Sequence, residues 1–166
     1  MSPNSALDNL LQSHDANVEL CDVLEQIADS LPHNVDCGLC RSVSASLRSE
    51  LPLHRRDFED ALFPLLSARA LPEDNIDHVL AQLRCEHLTD ECGAHDLIEI
   101  LPMAGGVWPR VDPNVLGYML RSFFECFRRH LVWERHLIVT LAGRRLSGDD
   151  LAILGERLRE HRHAAG

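Results

Sequence analysis

A chain of 166 residues, 45% hydrophobic and 25% charged, has the length of one domain and enough apolar side chain to bury a core without disulfide staples. Its formal net charge of −10 at pH 7 argues against nucleic acid or an anionic membrane surface as a partner, because either selects a basic face. No apolar run approaches the roughly 18–20 residues of a membrane span. The start, Met1-Ser2-Pro3-Asn4-Ser5, shows no basic-then-apolar leader pattern. Six scattered cysteines are consistent with a reducing compartment. The expectation is one domain over 1–166, cytoplasmic in location.

Strand signals are absent, and helical periodicity fills the chain. Leu7, Leu11, His14, Val18 and Cys21 recur at steps of four and three, marking one helix face that ends near Leu31-Pro32. Cys37-Gly38-Leu39-Cys40 spells CxxC, but without a βαβ context or a second pair it reads as two thiols at a helix start. A second helix follows, with Leu47, Leu51, His54, Phe58, Leu62 and Leu65 on one stripe, a bend expected at Pro52, and an end at Ala70. The third opens on Pro72-Glu73-Asp74, proline and acids in a first turn. Its stripe is Ile76, Leu80, Leu83, His87, Ala94, Leu97 and Leu101, before Pro102 and Gly105-Gly106 break the chain. Asp112-Pro113 starts a fourth, striped by Leu116, Leu120, Phe123, Phe127, His130, Glu134, Leu137 and Leu141 and ended by Gly143. Ser147 and Asp150 stand in capping-box positions for a short fifth helix. These elements predict an all-α fold, an antiparallel up-down-up-down four-helix bundle with a short C-terminal fifth helix.

Every stripe carries one histidine, and the fourth also carries Glu134. In an antiparallel bundle, residues equally far from a shared turn lie at one height. His14 is about seventeen residues before the first turn and His54 about sixteen after it, which puts both about 25 Å from the same end. The second and third helices place His54 and His87 about sixteen and fifteen residues from their turn. The third and fourth place His87 and His130 about fourteen and eighteen from theirs, so all four meet within about a helical turn. Imidazoles converging in a low-dielectric interior, with a carboxylate four residues from one of them, call for a shared cation. Nitrogen and carboxylate donors without thiolate suit non-haem iron, with manganese or zinc as alternatives. His33, His78, His95, His136, His161 and His163 fall off the stripes or near the ends and read as exposed.

With those residues in view, the sequence resembles the hemerythrin-like, HHE-type cation-binding domains over nearly its whole length. The resemblance rests on His14, on His54-Arg55-Arg56-Asp57-Phe58-Glu59-Asp60-Ala61-Leu62-Phe63-Pro64, on Glu86-His87, and on His130-Leu131-Val132-Trp133-Glu134. It implies a di-iron centre in which glutamates four residues after the second- and fourth-helix histidines bridge the metals. Here Phe58 stands at the first of those positions. Asp57 is the nearest substitute, with Asp90 or Glu91 as further candidates. Glu59, five residues after His54, should point about 140° away. The expected ligands are therefore His14, His54, His87, His130, Glu134 and Asp57, around a di-iron or a mononuclear site. The resemblance implies binding or sensing of a small diatomic ligand, O2 or nitric oxide. The alternatives are an iron-dependent oxidase or peroxidase-like enzyme, or a bundle whose metal is structural only.

Overall fold

The computed structural model describes residues 5–104 and 111–165. The first helix, α1, is Ser5–Ser30. α2 begins at Cys37 because the Asp36 carboxylate accepts from the backbone N–H of Gly38 at 2.7 Å and of Leu39 at 3.1 Å, pairing two donors that the first turn leaves without partners. It runs as Cys37–Arg56, widens into a π-helical stretch Asp57–Leu62 and finishes as Phe63–Arg69. α3 is Ile76–Ile100. α4 opens on an Asp112 cap with Pro113 in the first turn, runs as Pro113–Trp133, passes through a second π-helical stretch Glu134–Val139 and ends as Thr140–Arg145. α5 is Gly148–Ala165. No strand forms among the described residues.

Several boundaries differ from the sequence reading. Pro72–Asp74 makes its own 3-10 turn, and Asn75, at φ 47° in the left-handed region, separates it from α3, which starts only at Ile76. Gly143 lies inside α4, which continues to Arg145. Pro52 sits within α2 on its exposed side. The Gly105-Gly106 break lies outside the described residues. The fifth helix is longer than expected, 18 residues. Its capping box forms as read: Ser147 N–H donates to Asp150 Oδ2 at 2.9 Å, and Asp150 N–H donates to Ser147 Oγ at 3.2 Å. At the CxxC, burial pushes the Cys40 thiol up to about 11, which makes it unreactive.

α1 packs on α2 and α4, and α3 packs on the same two helices, the neighbour relations of an up-down-up-down bundle. The interior has two apolar clusters. One gathers Leu24, Ile27, Leu47, Leu97, Leu120 and Phe124; the other gathers Leu10, Leu62, Leu66, Leu80, Ile138 and Leu154. In α1, α2 and α3 the buried histidine falls in sequence between the two, and in α4 His130 stands at their boundary beside Leu131, so the polar layer is a slice through the bundle with apolar packing on both sides. α5 closes the second cluster by packing on α1 and on the π-helical stretch of α2.

A π-turn holds one residue more than an α-turn and shifts the phase of everything after it. Past Asp57–Leu62 the buried face of α2 is carried by Leu62, Phe63 and Leu66, while the striped Leu65 is only partly buried. Past Glu134 the same shift buries Ile138, Val139 and Ala142 and leaves Leu137 44% exposed. Both interruptions begin within a turn of a buried histidine, His54 or His130.

Candidate metal centre

The α2, α3 and α4 stripes bring His54, His87, His130 and Glu134 together. Each offers one ligand atom, all four atoms lie within 4.8 Å of one another, and all four residues are buried. Glu134 is 0% exposed. Its Oε1 lies 3.0 Å from His87 Nε2 and 3.1 Å from His130 Nε2, and its Oε2 lies 3.1 Å from His54 Nε2. Three imidazoles thus turn the same ring nitrogen toward one carboxylate.

Two of those imidazoles are fixed from behind. His87 Nδ1 meets Glu59 Oε1 at 2.7 Å, and His130 Nδ1 meets Asp90 Oδ2 at 2.6 Å. A carboxylate partner places the hydrogen on Nδ1, sets the ring orientation and leaves Nε2 for a metal. Phe127 stands edge-on to His54 and His130 at centroid distances of 5.8 and 5.7 Å, and Phe58 lies 4.9 Å from His54. Apolar rings therefore wall the cluster and keep its dielectric low.

Burial opposes the charge on Glu134, yet the proximity of His54, together with the close approach of His130 and of His87, reverses this and holds its carboxyl well below the usual range. At His130 burial likewise favours the neutral ring, but Asp90 and Glu134 lift it to about 9. A carboxylate held ionised beside a protonated imidazole is charge-balanced without metal, and the same atoms become anionic and neutral donors when a cation displaces the proton.

The donor set fits such a cation. His54 Nε2, His130 Nε2 and Glu134 Oε2 are fully buried and lack a hydrogen bond of proper geometry, although each sits close to another ligand atom of the group. Buried polar atoms are normally paired. Lone pairs converging without hydrogen-bond angles are the arrangement a metal ion satisfies.

The other two expected ligands stand elsewhere. His14 is buried, but its Nε2 donates to the Leu131 carbonyl at 2.6 Å, and its Nδ1 has no hydrogen-bond partner. Burial lowers its pKa, only partly opposed by that bond. Asp57 is buried and turned to α5, where His161 Nδ1 meets its Oδ1 at 2.8 Å. Burial raises the Asp57 pKa against the pull of His161 and Arg162. His161 is therefore not exposed as the sequence suggested; α5 brings it against α2. Glu91 pairs with Arg55 at 2.9 Å, and Trp133 faces outward at 48% exposure.

Glu59 and Asp90 both support the cluster from behind, although helical spacing turns Glu59 away and ranks Asp90 after Asp57. Asp90 was within reach of periodicity, since 87, 90 and 94 continue the α3 stripe. Glu59 was not: a residue five places on points away in an α-helix, and the extra residue of the π-turn brings it back beside the site.

An antiparallel helical bundle with a buried histidine–carboxylate cluster of metal-ligand geometry defines a cation-binding four-helix domain. The sequence agrees, matching the family described as Hemerythrin HHE cation binding domain over residues 5–164, and the chain belongs to that family. Neither curated proteins nor solved structures yield a match.

Proposed function

We propose that this chain is a non-haem iron protein that binds or senses O2 or nitric oxide at the centre formed by His54, His87, His130 and Glu134. The observation that carries this reading is the convergence of four buried ligand atoms within 4.8 Å, with three of their lone-pair positions left without hydrogen bonds. Three imidazoles and one carboxylate leave open positions on a metal that favours five or six ligands, and they suit iron better than a closed tetrahedral zinc site. Ferrous iron held by His54, His87, His130 and Glu134 would supply the electron density that a diatomic ligand binds to. The chain supplies orientation through Glu59 and Asp90 and excludes bulk water with Phe58 and Phe127. One cluster of donors among the described residues, with an aromatic ring at position 58, supports a mononuclear centre over a di-iron one. In this reading His14 and Asp57 belong to the surrounding layer, where His14 feels the charges of Glu134 and His54.

The test is metal content per chain, with absorption spectra taken aerobically and after degassing. The expected result is one iron per chain and a charge-transfer band that comes and goes with the gas. Peroxide turnover without a stable adduct favours an oxidase or peroxidase-like enzyme, and a metal that responds to no ligand favours a structural role. Absence of stoichiometric transition metal after reconstitution refutes the reading altogether.

A further inference from the structure

A narrow cleft reaches the centre between α2 and α3. It measures about 10 Å³ and is lined by His54, His87 and His130, by Leu51 and Phe127, and at its outer end by Arg55 and Glu91. That volume is about one water molecule. Leu51, Phe127 and the three histidines are buried. Arg55 and Glu91 alone in that lining reach well into solvent, with side chains 41% and 26% exposed, and they bond to each other across the helix pair at 2.9 Å. The residues flanking the centre toward the bundle ends belong to the two apolar clusters, which offer a charged or strongly polar ligand no hydrogen-bonding partners on the way in.

We infer that the Arg55–Glu91 ion pair is a gate over the path by which small ligands reach the centre: closed, the passage holds about one water molecule, and opening the pair widens it for a ligand of about two or three heavy atoms. The inference rests on the metal reading above for its ligand, but its geometry belongs to the protein alone. Both side chains end in flexible stems from adjacent helices, and a partly exposed ion pair opens easily. Side-chain opening on the picosecond-to-nanosecond scale is much faster than ligand encounter. The ligand therefore sees an average open fraction, which multiplies entry and exit equally.

That equality is the signature to measure. Iron(III)-loaded protein is mixed with azide in a stopped-flow instrument, for the wild type, Arg55→Ala and Glu91→Gln. Both variants are expected to raise the association and dissociation rate constants together by about twofold to fivefold, the range of exposed ion-pair strengths, with Kd and metal content unchanged. A pure charge effect on the azide anion has opposite sign in the two variants, because one removes a cation and the other an anion. Rates moving in opposite directions, unchanged rates in both, or an altered Kd carried by one rate alone overturn the gate. A second arm needs no metal: in deuterated water the ring C2 protons of His54, His87 and His130 should exchange faster in both metal-free variants, with exposed His163 exchanging at the wild-type rate. Should the wild type take up no stoichiometric metal, the metal reading fails and this arm still decides the gate; equal exchange at the three buried histidines in all forms refutes it.

Discussion

Replacing Glu134 with Gln keeps the volume at the centre and removes one charge. In the metal-free protein that carboxylate is wholly buried and faces three imidazole nitrogens at 3.0, 3.1 and 3.1 Å. Near pH 6 the His130 ring, with its pKa lifted to about 9, is protonated and loses one of its two buried counterions, keeping Asp90 at 2.6 Å. Stranding a buried charge outright costs about 3–5 kcal/mol; with Asp90 still in place the loss is that of a buried hydrogen bond to a charged group, about 1–3 kcal/mol. For a domain of this size each kcal/mol moves Tm by about 2–4 °C, so the deficit should be roughly 2–12 °C. The assay is thermal unfolding of metal-free wild type and Glu134→Gln at pH 6 and again at pH 10. At pH 10 His130 has shed its proton and the Glu134 charge of the wild type becomes the burden, so the two proteins should converge. In parallel, the variant should fail to retain stoichiometric metal through gel filtration. Equal Tm at pH 6 together with wild-type metal retention refutes both the electrostatic account of the cluster and the place of Glu134 in the ligand set.

Glu59→Gln and Asp90→Asn keep side-chain size but exchange a charged acceptor on Nδ1 for a neutral amide. Each should weaken metal affinity by about 10- to 100-fold in competition with a chelator, and unchanged affinity in both removes them from the positioning role. The pH dependence of the metal-free protein has a defined sign: His130 has a folded pKa of about 9 against an ordinary 6.5, so its contribution is full below about pH 6.5 and is lost as pH rises through about 9. That loss amounts to at most about 3 kcal/mol. Urea unfolding at pH 6 and pH 9.5 measures it, and a flat profile contradicts the assignment. Phe58→Glu places a carboxylate where a ring packs against His54 at 4.9 Å. It should lower metal-free stability by several kcal/mol, as burying an unpaired charge does, and raise the metal-to-chain ratio toward two. Destabilisation without extra metal identifies Phe58 as wall packing and supports the mononuclear centre.

The bundle was legible because its stripes are long and regular. From Ile76 to Leu101 every residue assigned to the α3 stripe is buried, and the α2 and α4 stripes hold as far as Leu62 and Glu134. The height argument also held for three helices, since His54, His87 and His130 converge on Glu134. Counting rise per residue fixes a layer to about one turn, which is too coarse to separate a side chain that faces the cluster from one that bonds a neighbouring backbone carbonyl. His14 shows that difference: it lies in the right slice of the bundle and donates to Leu131.

What the periodicity did not reveal has one physical source. A 3.6-residue repeat assumes a uniform helix, and both helices that interrupt their α-geometry do so beside the centre. Within the first interruption Glu59 reaches His87, against the angle expected from its spacing, while Asp57 turns to His161 of α5. Within the second, Leu137 faces solvent and Ile138 replaces it in the core. Nothing in Asp57-Phe58-Glu59-Asp60 announces a π-turn, because the extra residue is stabilised by what packs on it rather than by local propensity. Arg157 of α5 lies 3.4 Å from the carbonyl oxygens of Asp60 and Ala61, and His161 holds Asp57. The C-terminal helix thus stabilises the irregular turn that carries Glu59. Its contacts connect the end of the chain to the orientation of His87, through a link visible only once the chain is folded.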